Sequence, residues 1–129
     1  MHPHLDLTSQ IIAASFRVHN ALGPGHLEHV YQNALALVLR REGLHVQVES
    51  VIPVHFEGTL VGSCLADLIV EDLVVVETKA TESILPGHES RLHAYLRSGR
   101  HATGLIVNFG PVRVEIRRVT LAAKKRSSG

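Results

Sequence analysis

Leu65-Ala66-Asp67-Leu68-Ile69-Val70 and, across Glu71-Asp72, Leu73-Val74-Val75-Val76-Glu77-Thr78-Lys79 decide how this chain is read. Both runs are short, apolar and rich in β-branched residues, so both read as buried strands joined in a hairpin. A buried strand rarely carries charge, because an unpaired ion away from water is costly. Asp67, Glu77 and Lys79 therefore need partners. Two carboxylates and a lysine can hold a hard divalent cation and orient a water beside a phosphate. The plainer alternative is a Lys79 salt bridge to Asp67 or Glu77 that closes the sheet.

Phase discriminates further. Residues two apart on a strand face the same side, so Glu77 and Lys79 project together. A two-residue turn at Glu71-Asp72 pairs Asp67 with Val76 and sends Glu77 to the other face. A three-residue connection, Glu71 to Leu73, pairs Val70 with Val74 and Asp67 with Glu77. A shared cation site thus predicts the three-residue loop, or a bulge that restores the same phase.

Working outward, Asp6 to Leu22 reads as a helix. Ile11, Ile12, Ser15, Phe16, His19 and Leu22 fall at helical spacing, with Asp6 or Thr8 as its cap. Gly23-Pro24-Gly25 ends it in a tight turn. Leu27 to Glu42 is a second helix, with Leu27, Val30, Tyr31, Ala34, Leu37 and Val38 on its buried side and Gly43 closing it. His45 to Glu49 and Val51 to Phe56 read as two strands, with Pro53 marking an edge or bulge. Leu60 to Val70 and Leu73 to Lys79 form the charged hairpin. Gly87 to Ser98 is a third helix, bracketed by Pro86 and Gly99. Thr103 to Phe109 and Val112 to Val119 close the chain as strands. The order ααββββαββ implies an α/β fold, one mixed central β-sheet flanked by helices. Residues 1–121 form a single domain and residues 122–129 a basic, flexible tail containing Lys124-Lys125-Arg126.

Composition limits the function classes. With 129 residues and 45% hydrophobic content, the chain supports one aliphatic core. No run approaches the roughly 18–20 apolar residues of a membrane span, and the N-terminus lacks the regions of a signal peptide. Cys64 is the only cysteine, which excludes an internal disulfide, an iron–sulfur centre and a cysteine-rich zinc site. It reads as a small hydrophobe, and a cytoplasmic location is expected. Net charge is +1, but residues 1–77 carry a balance of −6 and residues 78–129 one of +7. That asymmetry suggests a polyanion partner for the C-terminal half. Ten histidines form no His-Glu-x-x-His pattern, so zinc chemistry is not indicated. Gly23 and Gly25 are backbone devices, since no Gly-Lys-Ser/Thr follows.

Gly25-His26-Leu27-Glu28-His29-Val30-Tyr31 spells Gly-x-x-Glu-x-x-Tyr. With Ala66-Asp67-Leu68, Val76-Glu77-Thr78-Lys79-Ala80, His88-Glu89, Leu92, Tyr95-Leu96 and Asn108-Phe109-Gly110, the chain resembles the GxxExxY family of the PD-(D/E)xK nuclease-like superfamily from about Ile11 to Val119. The resemblance implies a restriction-endonuclease-like single domain. It also implies a metal-dependent nuclease that hydrolyses phosphodiester bonds of DNA or RNA by metal-activated water. Asp67 and Glu77 match the metal-binding acids, joined by the Thr78 backbone carbonyl and by Glu28, directly or through water. Mg²⁺ is the implied cofactor, with Mn²⁺ able to substitute. Lys79 matches the lysine beside the attacking water, and its acidic neighbours suit it to orienting and electrostatic work rather than proton abstraction. Tyr95 matches the tyrosine of a Gln-x-x-x-Tyr helix, but Arg91 stands where that helix carries Gln. Arg only donates hydrogen bonds and is always charged, so it binds a phosphate or fills the metal's place. Arg91, Tyr95 and His88 are the expected substrate-binding residues. Small nucleases of this fold often form a homodimer. The runner-up is an inactive module of the same fold that binds nucleic acid, a nucleotide or a protein partner. Bland readings stand beside these: Glu28 as a first-turn acid favoured by the helix dipole, and Tyr31 as a packing residue whose hydroxyl finds one partner.

Overall fold

Val74 to Thr78 are buried on both faces, which makes Val74–Lys79 a central strand. A computed structural model of the chain describes residues 3–122, with side chains from Leu7 onward. The elements are α1 (Pro3–Leu22), α2 (Glu28–Arg41), β1 (Val46–Phe56), β2 (Thr59–Val70), β3 (Val74–Lys79), α3 (Pro86–Ser98), β4 (Thr103–Phe109) and β5 (Val114–Thr120). The strands lie in chain order in one five-stranded sheet. β3 and β4 run parallel and the other neighbours antiparallel. A parallel pair needs a crossover, and α3 supplies it.

Helices cover both faces. Ile11 of α1 and Leu35 and Leu39 of α2 pack with Leu68, Val76 and Leu105 of the sheet. On the opposite face Leu92 and Leu96 of α3 pack with Ile69, Val75 and Ile106. Gly104 brings α3 close, since a Cβ there would lie 2.9 Å from Leu92 Cδ2. Among the described residues no helix is long and apolar enough to cross a membrane.

Three strands precede α3, not the four expected. The segments before and after Ser50 are one strand, because the register continues through it: Val48 pairs with Leu68 and Ser50 with Ala66. Glu49 absorbs the irregularity by taking φ +53°. The cost is an exchange of faces. Val46 and Val48 join the α1/α2 core, while Ile52 joins the α3 core. On β2 the same inversion falls at Asp67, between Leu68 on one face and Ala66 on the other. Cys64 packs partly buried beside the α3 core.

Both N-terminal helices bury only part of the expected faces. Phe16 and Leu22 of α1 are 44% and 37% exposed, while Leu7, Ala14 and Val18 are buried beside Ile11, Ser15 and His19. On α2, Leu27 and Leu37 are exposed, and Leu35 and Leu39 are buried with Tyr31 and Val38. Helix α1 begins at Pro3, so Thr8 is no cap. Its buried hydroxyl accepts from Arg118 Nη2 at 2.9 Å. Strand β5 starts at Val114, two residues later than expected. Lys124-Lys125-Arg126 lies outside the described residues.

Candidate active site

The β2–β3 connection has the phase a shared site requires. Val70 pairs with Val74, and Leu68–Val76 is the last pair of the β2–β3 ladder. Leu73 N donates to Val70 O at 2.9 Å, around Glu71 and Asp72 with φ near +54°. This is a tight turn with Leu73 as the extra residue that restores phase.

Beyond Leu68 and Val76, side chains replace backbone pairing. Asp67 N donates to Glu77 Oε2 at 3.1 Å. In return, Asp67 Oδ2 accepts from Thr78 N at 2.8 Å and Thr78 Oγ1 at 3.0 Å. The inversion at Asp67 accounts for this, since it breaks the regular alternation that would have continued the ladder. In a strand, the N–H and C=O of one residue face the same neighbour, so the Thr78 carbonyl also faces the gap.

Glu77 is only 7% exposed. Burial pushes its carboxyl up to about 8 and the Asp67 charge adds to the rise, against the Asp67 N–H, Lys79 and Arg91. Glu28 shares this neighbourhood. Its half-buried carboxyl is raised by burial, lowered by Lys79 and Arg91, and raised by Asp67. Glu28 is placed by the loop before it, which Tyr31 secures. The Tyr31 hydroxyl donates to Gly23 O at 2.6 Å and accepts from His26 N at 3.2 Å. Its ring stacks on Phe109, centroids 4.6 Å apart. Gly23 and Gly25 have φ of +75° and +102°, as the turn demands. Gln32, buried one turn after Glu28, escaped sequence reading although its i+4 spacing places it on the same helix face.

Arg91 is exposed on α3. Its Nε donates to the Tyr95 hydroxyl at 2.8 Å, and the guanidinium carbon lies 5.8 Å from the Tyr95 ring centroid. Among the described residues, ion pairs within 4 Å join Arg100 and His101 to Asp72 and Arg117 to Glu89. Neither Lys79 nor Arg91 takes part in one. The salt bridge from Lys79 that would simply close the sheet is thus not formed, and Arg91 does not lock onto Glu77. His88 is engaged at the start of α3, where its Nδ1 accepts from Leu85 N at 3.0 Å and its own N donates to Leu85 O at 2.9 Å.

Sequence reading also missed a supporting network. Asn108 is fully buried opposite Lys79 in the parallel register. Its Oδ1 accepts from Thr81 N at 2.9 Å, and its Nδ2 donates to Thr81 O at 3.0 Å and to Glu115 Oε1 at 3.1 Å. Glu115 Oε1 also accepts from Ile84 N at 3.1 Å. These bonds fix the chain between Lys79 and α3. Only the apolar context of Asn108 hinted at such a role.

Among the described residues no three His, Cys, Asp or Glu side chains form a group able to hold a metal. The donor set here is smaller: Asp67, Glu77 and the Thr78 carbonyl. It suits a cation that keeps several waters and takes one or two carboxylates, which is how Mg²⁺ binds. Asp67 Oδ2 and Glu77 Oε2 have protein donors, leaving the second oxygen of each carboxylate for another ligand. A buried acid held near pKa 8 beside a second carboxylate is also a place where a divalent cation displaces a proton. A shallow groove of about 390 Å³ borders Ala80 and Thr81 and reaches Gly25 and His26. The carboxylates lie outside it.

Comparison with known proteins bears on the fold and the family. No curated protein matches the chain. The crystal structure of SSO0001 is similar, with a TM-score of 0.58 and 22% identity over 71% of this chain and 48% of that one. The chain thus spans about half the length of that protein, and at this identity the likeness concerns the fold. A family model described as the PD-(D/E)XK nuclease superfamily matches residues 5–119. With its mixed sheet and flanking helices in the restriction-endonuclease-like arrangement, the chain belongs to the PD-(D/E)XK nuclease superfamily.

Proposed function

We propose that this chain is a metal-dependent nuclease of the GxxExxY type that hydrolyses phosphodiester bonds of DNA or RNA. The observation that carries this reading is the gap in the β2–β3 ladder. There Asp67 and Glu77 come together, while among the described residues Lys79 and Arg91 stay out of ion pairs. Asp67, Glu77 and the Thr78 carbonyl would hold Mg²⁺ or Mn²⁺, with Glu28 contributing through water. When bound, the ion supplies charge stabilisation at the phosphate and acidifies water.

The chain's own residues do the rest. Thr78 holds Asp67 in one orientation through two hydrogen bonds. Lys79 orients the attacking water and offsets phosphate charge. Tyr95 steadies Arg91, which faces the substrate, and His88 stands at the start of the same helix. A homodimer would bring two such sites to two strands. The alternative, an inactive module that binds nucleic acid, a nucleotide or a protein, is favoured by one observation: Arg91 where a Gln-x-x-x-Tyr helix carries Gln.

The test is cleavage of labelled single- and double-stranded DNA and RNA with Mg²⁺ or Mn²⁺, comparing the natural chain with Glu77→Ala. Metal-dependent cleavage that disappears in the variant supports the nuclease and names its substrate. Absence of cleavage by a folded natural chain supports the binding module.

A further inference from the structure

We propose that Arg91 is the phosphate clamp of this site and supplies its second positive centre, so that the site takes one divalent cation and one phosphodiester rather than two cations. This deepens the nuclease reading and rests on it. The first argument is geometric. The Arg91 side chain is held by a hydrogen bond from Nε to the Tyr95 hydroxyl at 2.8 Å. That bond uses the one guanidinium nitrogen that does not belong to the fork's open end. The two terminal nitrogens remain, and among the described residues they close no ion pair within 4 Å. Yet Arg91 is close enough to Glu28, Asp67 and Glu77 to interact electrostatically with all three. A preorganised, exposed guanidinium beside carboxylates it does not bind is suited to an anion that arrives later, and its planar fork matches two phosphate oxygens.

The second argument is charge balance. Once a cation has displaced the Glu77 proton, the carboxylates of Glu28, Asp67 and Glu77 face Lys79 and Arg91, one net negative charge before the cation is counted. One divalent cation turns this into one positive charge, which a single phosphodiester cancels. A second divalent cation would leave two uncompensated positive charges around a site whose Glu77 is only 7% exposed, where charge is costly. The third argument is the ligand count. Asp67, Glu77 and the Thr78 carbonyl are the donors brought together at the gap, and two carboxylates match what one hydrated divalent cation takes.

The test uses the full chain, short labelled oligonucleotides of single- and double-stranded DNA and RNA, and EDTA, so that binding is read without cleavage. Fluorescence anisotropy over a range of KCl concentrations gives affinity and salt slope. Arg91→Gln is expected to weaken binding about tenfold and to reduce the slope of log K against log salt by about 1. Arg91→Lys keeps the slope but binds more weakly, because an ammonium lacks the planar fork. Tyr95→Phe keeps the slope and the ring under the guanidinium but loses affinity through the freed Nε. Manganese titration followed by electron paramagnetic resonance should count one bound ion in the natural chain. Circular dichroism checks that each variant is folded. An unchanged slope in Arg91→Gln, with binding intact, overturns the clamp but leaves the nuclease reading standing. Two tightly bound manganese ions overturn the single-cation inference. If the natural chain binds none of the oligonucleotides, the clamp and the nuclease reading fall together.

Discussion

The two ends of the β2–β3 pair are built in opposite ways. At the turn end, Val70 pairs with Val74 through the backbone, and Asp72 is fastened by Arg100 at 2.6 Å and His101 at 2.8 Å. At the open end, pairing stops after Leu68 and Val76, and two carboxylates accept the backbone N–H groups that a partner strand would have taken. At the turn end the Asp72 carboxylate meets the Arg100 guanidinium and the His101 ring, while Glu71 Oε2 accepts from His45 N at 2.6 Å. The open end satisfies its carboxylates with backbone donors, and among the described residues Lys79 and Arg91 enter no ion pair, Arg91 being held by the Tyr95 hydroxyl instead. A site of this kind arises where a ladder ends early, and it lowers the stability of the same pair of strands that the turn end holds together.

The largest effect expected at the open end is from Glu77→Gln. The amide keeps the shape and the bond from Asp67 N but removes the charge, so metal-dependent cleavage should fall at least roughly a hundredfold. In EDTA the same variant should melt at a higher temperature than the natural chain above pH 8. The sign follows from the carboxyl's position, raised from 4.5 unfolded to about 8 folded. Between these values the folded state binds more protons, so stability falls as pH rises and the full penalty stands above the folded value. Thermal melts in EDTA across that window should slope downward for the natural chain and be flatter for Glu77→Gln.

A bound metal should flatten that slope. A cation that displaces the Glu77 proton binds more tightly as pH rises through the same window. Added Mg²⁺ should therefore raise the melting temperature more at pH 8 than at pH 4.5. Equal stabilisation at both would place the ion elsewhere. Thr78→Val is a smaller change. It removes the Oγ1 bond to Asp67 but keeps the backbone donor, costing about 1 kcal/mol of stability. Loosening Asp67 should slow cleavage about tenfold, equivalent to a similar energy in the transition state.

The turn end should give the smallest functional effect. Asp72→Asn should leave the cleavage rate unchanged. The bonds from His101 and then Arg100 hold the Asp72 carboxyl below its ordinary value of 3.8. The stability it contributes is present above that value and is lost as pH falls through the lowered one. The variant should thus be slightly less stable than the natural chain at neutral pH and show a blunter acid limb in its stability–pH curve. A loss of cleavage in Asp72→Asn would show that the two ends are coupled through β3.

Much of the sheet was legible because strand parity leaves few choices. Val74 to Val76 are apolar on both faces, and the demand that Asp67 meet Glu77 selects the connection Glu71 to Leu73. The helix faces were less legible. Ser15 and His19 fell on the expected face and are buried, but Leu27, Leu37, Phe16 and Leu22 attracted the inward assignment by size, while Ala14 and Gln32 occupy the buried arc. Hydrophobicity ranks residues by transfer to oil, but a helix close to a sheet also selects for small volume and for polar groups that find partners. His19 shows this, buried with Nε2 within 2.9 Å of Gly110 O. The fourth strand failed for a local reason. Glu49-Ser50 reads as a break, yet a single residue at positive φ kept β1 continuous.

By itself the sequence determined the run of helices and strands apart from the continuity of β1, and it tied any meeting of Asp67 with Glu77 to a three-residue connection, because these depend on spacing along one chain. Only the tertiary structure decided that β1 runs unbroken and that β2 changes face at Asp67. It also decided that Thr78 rather than Lys79 holds that carboxylate, that Asn108 fixes the loop after β3, and that Arg91 is tied to Tyr95. Each of these depends on which polar group meets which donor across elements distant in sequence, and burial makes those pairings obligatory without indicating the partner.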